Sequence, residues 1–310
     1  MKHNVQVTAI LVIAFLIIQF FGLYAISQTT TVSVTPDGNV TVVYEDTVVG
    51  ERPDIQGWVS LAYILFGVLV GTVLILIFVK LGQFKLWKMM YFLAIWLASS
   101  ITLGVFVSAV IAFLLAFVLA AAELYRTNLI LHNLTELLIY PGIAILFVPL
   151  LDIYWASFLL LAISAYDVFA VWKSKHMVTL AKFQTKSKAF AGFVIPYGSK
   201  GKGIGSIKAR IPGEIGKKDG VRTAILGGGD IAFPLIFSGV VMQGLIEIAG
   251  LAKGAALLQS MVVSVFAAVA LLILFVKATR DKFYPAMPFI SAGCFAGLAV
   301  IWLVNLSVFI

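Results

Sequence analysis

The sequence predicts an all-α membrane protein: a polytopic bundle of nine transmembrane helices, with the N-terminus cytoplasmic and the C-terminus outside. Three observations carry this. The 310-residue chain is 62% hydrophobic and only 12% charged, where a soluble domain has about a quarter charged residues. Its apolar runs are long and continuous, which suits spanning helices rather than the alternating strands of a barrel, about ten residues each. Its lysines and arginines fall in alternate connecting segments, as orientation by positive charge requires.

The spans read, in order, over residues 5–26, 58–79, 87–102, 105–122, 129–150, 153–172, 223–248, 255–276 and 285–308. Residues 89–122 carry no charge. As one helix they would reach about 50 Å, against a hydrocarbon core of about 30 Å. A split near Thr102–Gly104 gives two short spans. Charge supports that split: with the N-terminus inside, every lysine and arginine except Arg52 and Lys253 lies on the inner side. The first residues also resemble a signal peptide, but the apolar run exceeds the usual 7–15 residues, so a retained helix is expected.

Three regions follow: spans one to six in 1–172 with an outer hairpin loop at 27–57, a basic cytoplasmic loop at 173–222, and spans seven to nine in 223–310. In the outer loop, apolar and polar residues alternate around Pro36-Asp37-Gly38, a hairpin signal. Asn39-Val40-Thr41 is a glycosylation sequon on the outer side, a tripeptide common by chance. The inner loop is basic and glycine-rich but holds no phosphate-loop spacing, and reads as a flexible segment near anionic headgroups. The formal charge of +8 therefore reads as topology, not as nucleic-acid binding. One cysteine, Cys294, excludes an internal disulfide, and three scattered histidines give no metal-ligand spacing. Neither a metal nor a cofactor is expected.

Five carboxylates fall within or near spans. Glu136, Asp152 and Glu247 lie towards span ends, where snorkelling or an interfacial position suffices. Asp167 lies six residues before Lys173, and Asp230 eight after Arg222. These spacings put them roughly 9 and 12 Å below the same face, on consecutive antiparallel helices. Two carboxyls apposed in low dielectric share one proton. One can then deprotonate a water while the other protonates a carbonyl oxygen. A hydrogen-bonded structural pair, or a proton or cation path, stands equally open on pairing and depth alone. Gly227, Gly228 and Gly229 loosen the backbone before Asp230. Membranes tolerate that only beside protein or a wet cavity, which favours hydrolysis. In Tyr284-Pro285-Ala286-Met287-Pro288-Phe289, the prolines either leave an extended stretch able to pair with a substrate strand, or simply start the last helix; spacing favours the second. Gly67-x-x-x-Gly71 and Gly293-x-x-x-Gly297 read as tight helix-packing motifs.

Tyr166-Asp167, Gly227-Gly228-Gly229-Asp230 and Pro285-Ala286-Met287 together resemble the Tyr-Asp, Gly-x-Gly-Asp and Pro-Ala-Leu motifs of the presenilin and signal peptide peptidase family of intramembrane aspartyl proteases. The chain is similar to its compact archaeal members over nearly its whole length. The resemblance implies that Asp167 and Asp230 are the catalytic pair. It implies that Tyr166 packs beside them, that the glycines admit substrate, and that Pro285, Ala286 and Met287 shape the site, with Met287 in place of leucine. The loop 173–222 matches the segment that presenilins cut autocatalytically. The basic residues give the presenilin orientation. That implies partners that are single transmembrane helices with their N-termini outside, cut near the inner face of the cell membrane, and leaves homo-oligomerisation open. The rival reading is a proton-coupled transporter or cation leak channel, although no second Gly-Asp break suggests an inverted repeat. The prepilin peptidase pattern has a lysine where this chain has Ala232.

Overall fold

The computed structural model describes residues 5–36, 40–125, 128–173, 190–198, 221–278 and 284–305. Helix α1 is Val5–Gln28, followed by strands β1 (Thr30–Val34) and β2 (Val40–Tyr44). Then come α2 (Trp58–Leu81), α3 (Phe84–Gly104), α4 (Ala109–Tyr125) and α5 (Leu129–Phe147), which runs into a short 3-10 turn. Helix α6 is Ile153–Val168 and widens into a π turn at Phe169–Lys173. Strands β3 (Gly192–Gly198) and β4 (Val221–Gly227) precede α7 (Gly228–Glu247), α8 (Lys253–Lys277) and α9 (Met287–Val304). Among the described residues, eight helices are long and apolar enough to cross a membrane, and α4 is a shorter apolar helix of 17 residues. The expected break within 89–122 is present: α3 stops at Gly104 and α4 starts at Ala109.

Local chemistry sets the ends. Gly82 closes α2 in the left-handed conformation, φ 65°, where glycine carries no Cβ penalty. Asn128 caps α5 by accepting from the Ile130 amide at 3.0 Å. Asp152 caps α6 by accepting from the Trp155 amide at 2.9 Å. Its position at a span boundary is thus a capping role as well as an interfacial one.

The core gathers around α7, which buries Ile231, Leu235, Phe237, Val241 and Met242 against α1, α5, α6, α8 and α9. A polar tie runs through this core: buried Gln19 of α1 donates to the Ile231 carbonyl at 2.8 Å. Helix α9 packs on α8 through Gly293 and Gly297. A Cβ at Gly293 would stand 2.6 Å from the Phe266 carbonyl oxygen, and one at Gly297 2.7 Å from the Val263 Cα. Gly67 and Gly71 do not behave this way. Nothing lies within 4 Å of a Cβ at either, because α2 packs only loosely at the bundle edge. Among the described residues, the small-residue spacing there makes no helix contact.

Strands β1 and β2 form the expected antiparallel hairpin, Thr30 opposite Tyr44 and Val34 opposite Val40. Its tip, with Asn39 of the sequon, lies outside the described residues. The hairpin docks on the C-terminal end of α7. Glu247 accepts from the Val42 amide at 3.1 Å, and the Tyr44 hydroxyl lies 3.0 Å from Gln243 Oε1. Glu247 is therefore a docking residue rather than a snorkelling one. Burial, with Glu247 beside it, pushes the Tyr44 hydroxyl well above the ordinary phenol range, so it remains a donor.

The region between α6 and α7 departs furthest from expectation. Residues 223–227, read as the start of span seven, belong to β4, and β3 lies inside the basic loop otherwise read as featureless. The remainder of that loop, 174–189 and 199–220, lies outside the described residues.

Gly293→Val is expected to lower the thermal unfolding midpoint in detergent, at a cost of about 1–3 kcal/mol from overpacking. Gly67→Val, on the open face of α2, is expected to leave it unchanged in the same micelle.

Candidate active site

Strand β4 runs without a linker into α7. Gly227 is the last strand residue and the helix N-cap, with an extended backbone at φ −64°, ψ 144°. Asp230 is the third helical residue, and the Gly227 amide bonds back to its carboxyl. This is half of a capping box, in which a third-position acid satisfies an orphan donor of the helix start. The fit is close: a Cβ on Gly227 would stand 3.1 Å from Asp230 Oδ2. Gly228 abuts Tyr140 of α5, whose hydroxyl would lie 3.2 Å from an added Cβ. Gly229 is exposed, and an added Cβ there would meet only Phe233, at 3.6 Å.

Asp167 lies next to the end of α6, just before the π turn. It is 8% exposed. Its Oδ2 accepts from the Met287 amide at 3.1 Å, and the Ala286 amide also bonds the carboxyl. The sequence explains why those donors are free. Tyr284, Pro285 and Ala286 are non-helical, and α9 starts at Met287 with Pro288 in its first turn. The first amides of a helix have no partner within it, and here they face Asp167. The stretch is thus irregular, but it does not offer free amides to a substrate strand as its spacing allowed: the Met287 amide is taken by Asp167. Ser164 and Ser291 continue the α6–α9 seam at 2.8 Å. Tyr166, one residue before Asp167, places its hydroxyl 3.2 Å from Thr72 Oγ1 of α2.

The two aspartates are within electrostatic reach of each other. Asp167 is buried and Asp230 half-buried. Each carboxyl sits at the amide-rich start of a helix, α9 for Asp167 and α7 for Asp230, where the backbone dipoles favour negative charge.

Beside them stands the antiparallel pair β3–β4, with Gly192 opposite Gly227, Val194 opposite Ile225 and Pro196 opposite Thr223. Side chains from α3 and α5 occupy the outer edge of β3. His132 Nε2 lies 2.8 Å from the Gly192 carbonyl oxygen, and the Tyr91 hydroxyl oxygen lies 2.9 Å from the Phe190 carbonyl oxygen. Asn133 both donates to and accepts from the Val194 backbone, at 2.9 and 3.0 Å. Because Val194 faces α5, its partner Ile225 faces the opposite way, since pairs alternate along an antiparallel ladder. Among the described residues no hydrogen bond engages the Ile225 amide or carbonyl, so the outer edge of β4 is open beside Asp230.

Sequence reading missed the sheet and its dock, Tyr91, His132 and Asn133. The available signal was the apolar run Phe193–Ile195 between glycines. Glu136 also differs from expectation. It is fully buried and bonded to the Tyr140 hydroxyl, so it does not snorkel.

The described chain is a polytopic helical bundle in which two carboxyls at broken helix starts stand within electrostatic reach of each other. The family model for signal-peptide peptidase, presenilin aspartyl protease matches residues 7–306, and the chain belongs to that family. It is an integral multi-pass membrane protein and an aspartic endopeptidase. In fold it is similar to a solved presenilin family intramembrane aspartate protease, with a TM-score of 0.55 over 93% of this chain and 94% of that one, at 14% identity. No curated protein sequence matches the chain.

Gly227→Ala is expected to displace the Asp230 carboxyl and to slow cleavage of a membrane-helix peptide roughly tenfold, about 1.4 kcal/mol in the barrier. Gly244→Ala, with open space at its Cβ, is expected to leave the rate unchanged in the same liposome assay.

Proposed function

We propose that Asp167 and Asp230 form the catalytic dyad and hydrolyse a peptide bond within a single transmembrane helix presented as an extended strand. The observation that carries this is the pairing of two carboxyls, both held by helix-start amides, beside an open strand edge. One carboxylate removes a proton from water, and the resulting oxygen attacks the peptide carbonyl carbon. The other carboxyl gives its proton to the carbonyl oxygen, forming a gem-diol. Collapse breaks the C–N bond, the amine leaves with a proton, and one water is consumed. The dyad returns to its singly protonated state.

The open edge of β4 gives the substrate a place. A helix must unwind before its amide reaches the dyad, and unwound backbone in a membrane needs hydrogen-bond partners. The outward amide and carbonyl of Ile225 supply them, as in strand addition, two residues before Gly227. The exposed, side-chain-free Gly229 leaves room for that strand, while Pro285, Ala286 and Met287 hold Asp167 in place. The distribution of lysine and arginine supports substrates with the N-terminus outside and a cut near the cytoplasmic face of the cell membrane.

Asp167→Asn and Asp230→Asn are each expected to abolish cleavage of a labelled single-span peptide, read by mass spectrometry of the products. Cleavage retained by both variants would overturn the dyad. Ile225→Pro removes one outward amide while leaving the bonds to β3, a substitution an edge strand accepts. Its expected result is a fall in kcat/KM of roughly tenfold or more with an unchanged unfolding midpoint.

A further inference from the structure

A second group of ionisable side chains is buried against the far side of the sheet, and the proposed hydrolysis does not use it. Glu123 lies in the last turn of α4. His132 and Glu136 are four residues apart on α5, so one helix face carries both. The three are 5%, 2% and 0% exposed. Each offers a ligand atom, and these atoms lie within 4.8 Å of one another. His132 Nδ1 is 2.9 Å from Glu123 Oε1, and among the described residues no lysine or arginine pairs with either glutamate.

The surroundings fix how each group points. His132 Nε2 meets the Gly192 carbonyl oxygen at 2.8 Å. A neutral imidazole that donates there turns the lone pair of Nδ1 towards the glutamates. The Thr135 hydroxyl holds Glu123 Oε2, and Tyr91 donates to Oε1 at 2.7 Å. The Tyr140 hydroxyl holds Glu136 Oε2. The Gly192 amide also interacts with the Glu136 carboxyl. Oε1 of Glu136, fully buried, has no hydrogen-bond partner among the described residues. A buried carboxylate oxygen left bare is costly and calls for an occupant.

We propose that Glu123, His132 and Glu136 bind one divalent metal ion of the zinc class, through Nδ1 and an oxygen from each carboxylate. A dication, two carboxylates and a neutral imidazole sum to zero charge, which suits a dry site. Protons on His132 and Glu136 would balance charge equally well but would leave Oε1 of Glu136 without a partner. One nitrogen and two oxygens are a zinc ligand set, whereas magnesium and calcium take more oxygens. Tetrahedral zinc with bonds of about 2.0–2.2 Å holds its ligand atoms roughly 3.3–3.6 Å apart, so binding draws the three side chains together by up to about 1 Å. Hydrogen bonds from Tyr91, Thr135 and Tyr140, and that to the Gly192 carbonyl, orient the ligands as second partners do in metal sites. Binding displaces to solvent the proton between Nδ1 and Oε1. Tyr125, two residues beyond Glu123, is 84% exposed, which puts the site close to the helix end. The ion fastens α4 to α5 and, through Gly192, to β3, the partner of the strand that leads into Asp230.

The test uses the full-length, tag-free protein in detergent, stripped with a chelator and then titrated with zinc chloride. Bound metal is counted by mass spectrometry after gel filtration, and the unfolding midpoint is followed in parallel. About one zinc per chain is expected, with a raised midpoint that magnesium does not produce. Glu136→Gln keeps the side-chain volume and the Tyr140 contact, and His132→Gln removes the imidazole. Each should weaken zinc binding more than about tenfold and abolish the rise. Asp230→Asn should bind zinc like the wild type, which separates this site from the dyad and from the fate of the protease reading. A wild-type chain that holds no zinc would overturn the proposal, leaving a cluster filled by protons only. So would binding unaltered in both ligand variants.

Discussion

A carboxylate inside a membrane protein survives only where donors reach it, and here the donors are backbone amides released by broken helices. The bond from the Met287 amide to Asp167 Oδ2, 3.1 Å, is the clearest case. It requires Pro285 and Pro288, because prolines stop helix from forming ahead of α9 and leave its first amides unpaired. It also sets α9 against α6, a seam continued by Ser164 and Ser291. Asp230 obtains the same help within its own chain segment, from Gly227. One aspartate thus caps the helix it belongs to, and the other caps a helix more than a hundred residues away. Two acids can approach each other because each faces the positive end of a helix dipole.

Breaking helices in a membrane leaves backbone groups that need partners elsewhere. The β3–β4 pair satisfies one side of each strand, and α3 and α5 satisfy the outer side of β3 with Tyr91, His132 and Asn133. Apolar packing of Leu129, Phe190 and Val194 holds the same edge. The sheet is therefore anchored on one side and open on the other, and its open side runs towards Asp230. Glycine at 227 and 228 follows from this crowding. A side chain at the first would press on Asp230, and one at the second would press on Tyr140.

The helical order was legible because apolar length is a strong signal: eight spanning helices and the shorter α4 fall where uninterrupted hydrophobic runs predict them. The outer hairpin was legible because its alternation has a period of two. The strand at 221–227 was not, since a greasy segment next to a helix carries no period that separates the two. Strand β3 was hidden for a similar reason, being a short apolar run in a basic glycine-rich loop. Gly67 and Gly71 show the reverse error, where spacing promised a contact that tertiary structure does not make. His132 and Glu136 stand at i and i+4, a visible spacing, but their third partner comes from another helix. What remained hidden in each case was decided by neighbours distant in sequence.

The two aspartates are held with unequal firmness. Asp230 stands on the first turn of the helix that forms the centre of the core, where Ile231 is fully buried and tied to α1 through Gln19. Moving it would disturb contacts with five helices. Asp167 stands where α6 ends, and the backbone widens into a π turn directly after it, a geometry associated with functional sites. On that side its neighbour α2 buries only 11% of its apolar span, and Tyr166 reaches it with a polar contact at Thr72. A substrate strand lying on Ile225 would therefore meet a fixed acid on one side and an adjustable one on the other. An unequal pair suits the proposed reaction, in which two carboxyls would first admit a peptide bond and then close on it.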